Sequence, residues 1–361
     1  MANISGFPEY LPEGRMVEMR AVDILREVFE LHGFANIQTR ALEPLSQLSR
    51  KGEITKEVYV VRRLHATAKD SDELGLHFDL TVPFARYVLD NAGHLEFPFR
   101  RYQIQPAWRG ERPQEGRYRE FYQADIDIVG LNELSFHHDI DVVLVMLEAC
   151  ARLSLELGLP PVLMRLNNRK LMQGFYTGLG VADSLAAIQA VDKLAKIGAA
   201  GVEQMLAEQG LSTSVIEKIL GFASTTTREG SLAELIAPFG VSNDLLDQGV
   251  AELERLFEAV YARFPDNVVI DCQIARGLDY YTGSVFEIEF QGRESLGTIS
   301  AGGRYDSLAS DGKRTYPGVG LSFGLSRVFA PLISEGKLVA SRRVPSAVLV
   351  AVDSEETRGQ A

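Results

Sequence analysis

The sequence has little cysteine, little tryptophan and a deficit of positive charge. Its 361 residues include two cysteines and one tryptophan, and 49 acidic side chains outnumber 37 basic ones, for a formal net charge of -12. A chain this acidic does not bind nucleic acid over its whole surface, so a polyanion must be met by a local basic patch. Neither Cys150 nor Cys272 has a cysteine or histidine at metal-ligand spacing, which argues against zinc and predicts reduced, buried thiols.

The sequence also lacks a long apolar run. Its amino terminus has no basic stretch followed by an apolar one, and no apolar run reaches the ~18 residues that a membrane helix needs. We therefore expect a cytoplasmic protein with no membrane contact. The composition, 46% hydrophobic and 24% charged, is that of a globular protein. Its length predicts more than one domain, because single cores stop growing at roughly 250 to 300 residues.

An arginine-rich stretch over residues 99–130 is the most unusual part of the chain. Its arginines stand at positions 100, 101, 109, 112, 117 and 119. Two alternating apolar runs, 102–108 and 121–129, flank a polar centre with Pro113 and Gly116, which predicts an antiparallel hairpin with a long tip. A single arginine on a strand is usually solvated or ion-paired, but several that converge can bind phosphate or carboxylate. We predict a phosphate-bearing substrate here.

Periodicity divides the remaining chain into strand-rich parts around a helical block. We predict helices over 14–32, from Thr81 to 89 and over 139–157, and strands over 35–39, 57–62, 76–80 and 162–166. From residue 168 to 264, alanine, leucine, glutamate and lysine predict helices. Strands are predicted again over 268–272, 284–290 and 297–300, and the segment 317–332 predicts a close backbone approach followed by a helix from Leu325. Residues 344–352 are typical of the first strand of a further α/β domain.

Four separated segments resemble the class II aminoacyl-tRNA synthetases and, among these, the histidyl-tRNA synthetases. Residues 105–121 (QPAWRGERPQEGRYREF) are similar to the second class motif, with Arg109 and Glu111 in its Arg-x-Glu pair. Residues 276–283 (RGLDYYTG) and 301–306 (AGGRYD) resemble the two histidine signatures, and 317–329 resembles the third class motif, ending with Arg327. The segment DLTVPFARY at 79–87 is most similar to the eukaryotic-type branch. The resemblance covers nearly the whole chain.

The resemblance implies an α+β fold, with a six- or seven-stranded antiparallel sheet flanked by helices and a helical insertion domain. It divides the chain into a first catalytic part over 1–167, the insertion over 168–265, a second catalytic part over 266–340, and a linker with the start of an anticodon-binding domain over 341–361. Because the chain ends soon after that last domain would begin, we expect a truncated form. The resemblance also implies a homodimer formed partly through the first helix and strand.

The same resemblance implies that L-histidine is activated with ATP, bound with Mg²⁺, and transferred from histidyl-adenylate to histidine tRNA. Positive groups that hold the phosphates and stabilise the pentavalent phosphorus supply most of such catalysis. Arg109 and Arg276 are the implied catalytic residues, on opposite sides of the α-phosphate. Arg327 is implied at the triphosphate end, Phe121 against the adenine and Glu111 at its edge. No metal ligand is implied among the protein side chains.

The substrate amino acid has an ammonium, a carboxylate and an imidazole, so its pocket needs carboxylates and a hydroxyl group. By resemblance, Asp79, Thr81 and Gln123 hold the ammonium. Asp127 and Tyr281 recognise the imidazole, with Tyr280 beside them.

Several positions leave alternatives open. Thr81 could instead cap a helix, and Tyr280 and Tyr281 could be ordinary strand aromatics. The resemblance does not say whether Arg304 and Tyr305 touch the ligand. Bacterial-type members usually have glutamate in place of Asp79 and Asp127.

The hairpin tip carries the residues implied to meet the tRNA acceptor end, Arg112 and Gln114. Arginine paired with guanine acceptors suits such a contact, although a solvated loop is the plainer alternative. In the third motif, Ser326 replaces the glutamate that the family usually has before its arginine, which would weaken a contact to ATP or its magnesium.

Two other functions remain open from the sequence. One is the regulatory subunit of ATP phosphoribosyltransferase, a synthetase relative that senses histidine and has no anticodon domain. The hairpin tip and Arg276 argue against it, because such regulators typically lose both. The other is a ligase that adenylates a different acid, which the imidazole-binding pair argues against.

Overall fold

The computed structural model describes residues 4–48, 57–65, 73–229, 231–275, 281–307, 309–352, 354–356 and 358–360. The strands are β1 Ala35–Asn36, β2 Leu42–Pro44, β3 Val60–Val61, β4 Leu74–Leu76, β5 Phe99–Trp108, β6 Glu120–Val129, β7 Val162–Asn168, β8 Thr226–Thr227, β9 Val268–Asp271, β10 Ser284–Phe290, β11 Ser300–Tyr305 and β12 Gly318–Gly324. The α-helices are α1 Pro12–Leu31, α2 Leu45–Leu48, α3 Thr81–Asn91, α4 His137–Leu157, α5 Arg169–Gly178, α6 Ser184–Val191, α7 Leu194–Glu208, α8 Thr213–Ala223, α9 Leu232–Ile236, α10 Asp244–Tyr261 and α11 Leu325–Ser334.

A nine-stranded sheet runs through the molecule in the order β1-β5-β6-β12-β11-β10-β7-β9-β8. From β5 to β7 every neighbouring pair is antiparallel. Strands β1 and β9 pair in parallel with β5 and β7, respectively. The expected antiparallel sheet flanked by helices is therefore confirmed at its centre, and short outer strands make it wider than the six or seven strands expected. Strands β2, β4 and β3 form a separate small sheet.

The two faces of strand β6 differ in polarity. Ala124, Ile126 and Ile128 are fully buried in the main apolar core, which they share with residues of α1 and α4. Side chains alternate between the faces of a strand, so Asp125 and Asp127 point to the opposite side. Burial of the apolar face holds the hairpin in register, and the polar face becomes the wall of a cleft.

The two long helices of the first half lie close to their predicted bounds. Helix α1 begins at Pro12, whose fixed backbone suits the first turn, and it ends just before Gly33, which has a φ of 75°. Helix α4 ends at Gly158, which also adopts a left-handed conformation. The two helices pack against each other and cover the apolar face of the sheet.

The short strands are less well predicted. The expected strand over 57–62 is reduced to Val60–Val61, the one over 76–80 lies at Leu74–Leu76, and the one over 297–300 begins only at Ser300. Within the described part of 344–352 no strand forms, and most of these residues are exposed. Such short segments become strands only where a partner strand satisfies their backbone, which local sequence does not reveal.

The start of α3 agrees with the prediction, but its capping side chain does not. Thr81 is its first residue, and the side chain that caps the first turn belongs to Asp79, whose Oδ1 accepts a hydrogen bond from the Val82 amide at 3.0 Å. The alternative role of Thr81 as the cap is therefore wrong.

The segment between β7 and β9 is almost entirely helical, as its composition predicts. Helix α10 packs along α5 and also contacts β7 and β9, so this block rests on the sheet. Cys150 and Cys272 are free and buried, as predicted. Burial raises the pKa of the Cys150 thiol to about 12, which keeps it protonated. Among the helices described, none is long and apolar enough to cross a membrane.

Candidate active site

Two adjoining cavities lie on the polar face of the sheet. The larger has a volume of about 560 Å³ and lies between the hairpin tip and the strands β11 and β12. The smaller, about 350 Å³, lies over the centre of β6 and β12. Both are lined by Arg109, Gln123, Ala301 and Ser322, so they form one cleft.

The larger cavity brings together the four residues predicted to contact ATP: Arg109, Glu111, Phe121 and Arg327. The guanidinium of Arg109 lies 5.0 Å from the centre of the Phe121 ring, and its Nε donates to the Phe78 carbonyl at 3.0 Å. Because these contacts use Nε and one face of the guanidinium, its Nη groups can donate to an anion in the cavity.

Arg327 ties two walls of the larger cavity together. Its Nε donates to the carbonyl of Gly116 in the hairpin tip at 3.0 Å, and its Nη1 donates to the Thr298 carbonyl. The preceding Ser326 is turned away from the cavity and is only 2% exposed, and its Oγ accepts a hydrogen bond from the Tyr122 amide at 2.9 Å. This hydrogen bond connects α11 to β6.

Most of the residues predicted to bind the amino acid line the smaller cavity. Asp79, Thr81, Gln123, Asp127 and Tyr281 all line it, although they come from three separate parts of the chain.

Three further residues can be placed relative to the cleft. Asp125 and Tyr305 also line the smaller cavity. The Tyr305 hydroxyl donates to Asp127 Oδ1 at 2.7 Å. Arg304 lies outside both linings, and its Nη1 is paired with Asp139 at 2.7 Å. Of the two residues left open by the sequence, Tyr305 therefore reaches the cavity and Arg304 supports its wall.

Asp127 is held from two sides. Besides the Tyr305 hydroxyl, it meets Arg101, whose Nη2 lies 2.6 Å from Asp127 Oδ2. Gly320 makes room for this carboxylate, because a Cβ at that position would lie 2.2 Å from Asp127 Oδ1. Gly318 makes room for Tyr305 in the same way, at 2.4 Å from its ring.

Burial determines the electrostatics of the smaller cavity. It raises the pKa of Asp125 to about 7, because the attraction of Arg101 does not offset the loss of water, and the charge of Asp127 adds to the rise. Burial also raises the pKa of Asp127, against the opposing effects of Arg101 and the Tyr305 hydroxyl. The cavity is therefore acidic and its central carboxylates are buried, which favours a cationic ligand.

A family model described as histidyl-tRNA synthetase matches residues 6–328, most of the chain. The chain belongs to the histidyl-tRNA synthetase family. It is 59% identical over 360 residues to a histidine–tRNA ligase of Cutibacterium acnes, covering 98% of this chain and 79% of that protein. It is 50% identical over 376 residues to a histidine–tRNA ligase of Micrococcus luteus, covering 100% of this chain and 81% of that protein. The crystal structure of histidyl-tRNA synthetase from Nostoc sp. PCC 7120 superimposes with a TM-score of 0.84 at 32% identity, covering 99% of this chain and 81% of that one.

These comparisons favour the histidyl-tRNA synthetase interpretation over the regulatory subunit. The chain spans about four-fifths of the length of the two curated relatives. The family model also extends over both halves of the central sheet and over the helical block between them.

Three of the predicted site residues are not placed in the cleft. Arg276 and Tyr280 lie outside the described residues. Arg112 is exposed at the hairpin tip and is not among the lining residues, whereas its neighbour Gln114 lines the larger cavity. Sequence reasoning missed Asp125 and Arg101. Period-two alternation from Gln123 and Asp127 could have indicated Asp125, but the partner of Arg101 depended on the register of the hairpin.

A group of potential metal ligands lies elsewhere, at the start of α4. Ligand atoms of His137, His138 and Asp141 fall within 4.8 Å of one another. Arg100 donates to Asp141 Oδ2 at 3.0 Å, so this carboxylate already has a cationic partner. The group is not part of the cleft.

Proposed function

We propose that this chain is a histidine–tRNA ligase. In the first step a carboxylate oxygen of L-histidine attacks the α-phosphorus of ATP, a new P–O bond forms, and the bond to pyrophosphate breaks. In the second step a ribose hydroxyl at the 3′ end of histidine tRNA attacks the carbonyl carbon of the adenylate and AMP leaves. The observation that carries the proposal is one cleft in which a cavity lined by Arg109 and Arg327 adjoins an acidic cavity.

The larger cavity suits ATP with its Mg²⁺. Arg109 lines both cavities, and it would therefore meet the α-phosphate where the substrate carboxylate arrives. Its preorganised donors would stabilise the charge that develops on phosphorus, with Arg276 as the proposed second catalytic arginine. We assign Phe121 to the adenine face, Glu111 to its edge and Arg327 to the triphosphate.

The smaller cavity suits the amino acid. We assign Asp79, Thr81 and Gln123 to its ammonium and Asp127, Tyr281 and Tyr280 to its imidazole. Because Arg101 and Tyr305 hold Asp127, its carboxylate would accept an imidazole N–H without first having to reorient.

The remaining assignments concern macromolecular partners and location. We propose that Arg112 and Gln114 at the exposed hairpin tip meet the acceptor end of histidine tRNA, and that the protein acts in the cytoplasm. The division of the chain at residues 167, 265 and 340 is likewise our proposal. It is supported by the helical block between β7 and β9.

A homodimer would form through α1 and the open edge of β1. A groove of about 310 Å³ beside α1 is lined by both apolar and basic side chains, among them Met19, Val22, Tyr102 and Arg26. A groove of this mixed lining, next to the strand at the end of the described sheet, is suited to a second copy of the chain. Sedimentation of the protein at micromolar concentration tests this, and a monomer at all concentrations would contradict it.

Histidine-dependent exchange of labelled pyrophosphate into ATP tests the enzymatic proposal. We expect exchange by the wild type, a loss of at least ~100-fold in Arg109→Gln as for a lost oxyanion donor, and no change in Arg314→Gln, whose partner is Asp311 outside the cleft. Exchange with an amino acid other than histidine would indicate a different ligase. Tight histidine binding without exchange would instead indicate a histidine-sensing regulator.

A further inference from the structure

Asp125 lies in the middle of a row of three polar side chains on the cleft face of β6, between Gln123 and Asp127. It is 2% exposed and lines the smaller cavity. Neither the motif resemblance nor the predicted site gives it a role. Its register partners are Gln103 on β5 and Ser322 on β12, so it stands over the centre of the sheet.

One oxygen of Asp125 has no hydrogen-bond partner among the described residues. This is Oδ1, while a hydrogen bond from Ser322 engages the carboxylate. Gln123 has the same feature: its Nε2 donates to Ser322 Oγ at 2.6 Å, and its Oε1 is buried without a partner. Two unpaired acceptors thus stand two residues apart on one strand. A buried acceptor left without a donor is unfavourable, so the pair is suited to a ligand with several donors.

The charges around Asp125 make a cationic ligand the favourable one. Arg101 is its nearest cationic neighbour, but that guanidinium is paired with Asp127, donates to Gln103 Oε1 at 3.1 Å and lies 4.1 Å from the centre of the Phe84 ring. Asp79 adds a further negative charge at the cavity. Arg109 also lines the smaller cavity, but together with Arg101 it is outnumbered by the lining carboxylates, which are Glu57, Asp79, Asp125, Asp127 and Asp192.

We propose that Asp125 is a substrate-binding residue, whose Oδ1 accepts a hydrogen bond from the α-ammonium of the amino acid while Gln123 Oε1 accepts a second one. This inference rests on the proposed function and adds a residue to its amino-acid site. An ammonium has three N–H donors and a full positive charge, which matches the two neighbouring acceptor oxygens and the negative charge of Asp125. A neutral imidazole offers one N–H, which Asp127 already faces.

The test compares histidine with imidazolepropionate, the same molecule without its ammonium group. Calorimetry gives both dissociation constants for the wild type and for Asp125→Asn, which keeps the size of the side chain and removes its charge. Because a hydrogen bond to a charged group is worth about 1.5 to 3 kcal/mol, we expect roughly 10- to 100-fold weaker histidine binding. Binding of imidazolepropionate should stay the same or become tighter. Asp90→Asn, an exposed carboxylate paired with Arg86, is the matched control.

Two outcomes would overturn the inference. One is unchanged histidine affinity in Asp125→Asn, and the other is an equal loss for both ligands, which would assign Asp125 to the imidazole or to packing alone. If Asp125→Asn does not fold, Asp125→Ser serves for the same comparison. Pyrophosphate exchange by the wild type is measured in parallel. If the wild type catalyses exchange and either of these two binding results is found, the role of Asp125 is refuted and the enzymatic proposal stands.

Discussion

Arg101 and Asp127 face each other across the hairpin and form an ion pair, with Nη2 and Oδ2 2.6 Å apart and side chains 0% and 6% exposed. They are register partners on β5 and β6. A buried pair of this kind contributes little net stability, but loss of one member leaves an isolated charge in a poorly hydrated site. Arg101 therefore holds Asp127 in the wall of the cleft and is not among the lining residues of either cavity.

Arg101→Met should destabilise the protein by about 3 to 5 kcal/mol, because Asp125 and Asp127 lose their nearest cation. Urea unfolding measures this. Arg100→Met is the control, since its pair with Asp141 is partly exposed, at 24% and 36%, and such pairs contribute about 1 kcal/mol or less. Equal losses in the two variants would contradict the importance of the buried pair.

Gly320→Ala should weaken histidine binding and lower stability together. The added methyl group would lie 2.2 Å from Asp127 Oδ1 and must displace that carboxylate from Arg101 and Tyr305. Overpacking of this kind costs about 1 to 3 kcal/mol. Calorimetric binding and thermal unfolding report the two effects. Gly93→Ala has open space around its Cβ and should change neither, so similar behaviour of both variants would refute the steric explanation.

Arg327→Gln should raise the KM for ATP in pyrophosphate exchange roughly 10- to 100-fold, as expected when a charged hydrogen bond worth about 1.5 to 3 kcal/mol is lost. The KM for histidine should change much less, because Arg327 lines the larger cavity and not the smaller one. Arg293→Gln removes an arginine that pairs with Glu335 outside the cleft and serves as the control. A larger effect on histidine than on ATP would exclude the assignment.

The stability of the ligand-free protein should have a pH-dependent contribution from Asp125 that Asp125→Asn lacks. The pKa of Asp125 is raised from 3.8 to about 7, so the folded state binds this proton more tightly than the unfolded state does. The ionised carboxylate therefore lowers stability above about pH 7, and the loss is relieved as pH falls towards 4. Arg101, Asp127 and Asp79 are the charged groups that face it.

Unfolding free energies of the wild type and Asp125→Asn, measured from pH 8 to pH 5, test this. Their difference should change in favour of the wild type as pH falls, by at most about 1.4 kcal/mol per pH unit. Burial also raises the pKa of Asp139, to about 6. Asp139 is present in both proteins, so its contribution cancels in the difference between their unfolding free energies. A difference in unfolding free energy that does not depend on pH would contradict the raised pKa of Asp125.

Much of this architecture follows from local patterns. The hairpin, α1, α4 and the helical block carry long periodic segments, and their predicted type is confirmed. The bounds of the short strands β3 and β4 were not predicted correctly, because these strands depend on each other and on β2 for pairing.

The site was partly predictable for a similar reason. Motif resemblance singled out Gln123 and Asp127, and the cavity brings them together with Tyr281 from the other half of the chain. It did not indicate that Arg101 would hold Asp127 or that Asp125 would have an unpaired oxygen. Those facts depend on register across three strands, which one sequence does not define.

The pairing of β6 with β12 has a consequence for how the protein is made. Strand β12 is encoded after the whole helical block, so the nascent hairpin emerges with one edge of β6 open. Open edges invite pairing with other chains, and charged side chains oppose it. Asp125 and Asp127 occupy that edge strand until β12 covers it. By this principle, the carboxylates of the mature cleft also disfavour pairing of the uncovered β6 edge with another chain.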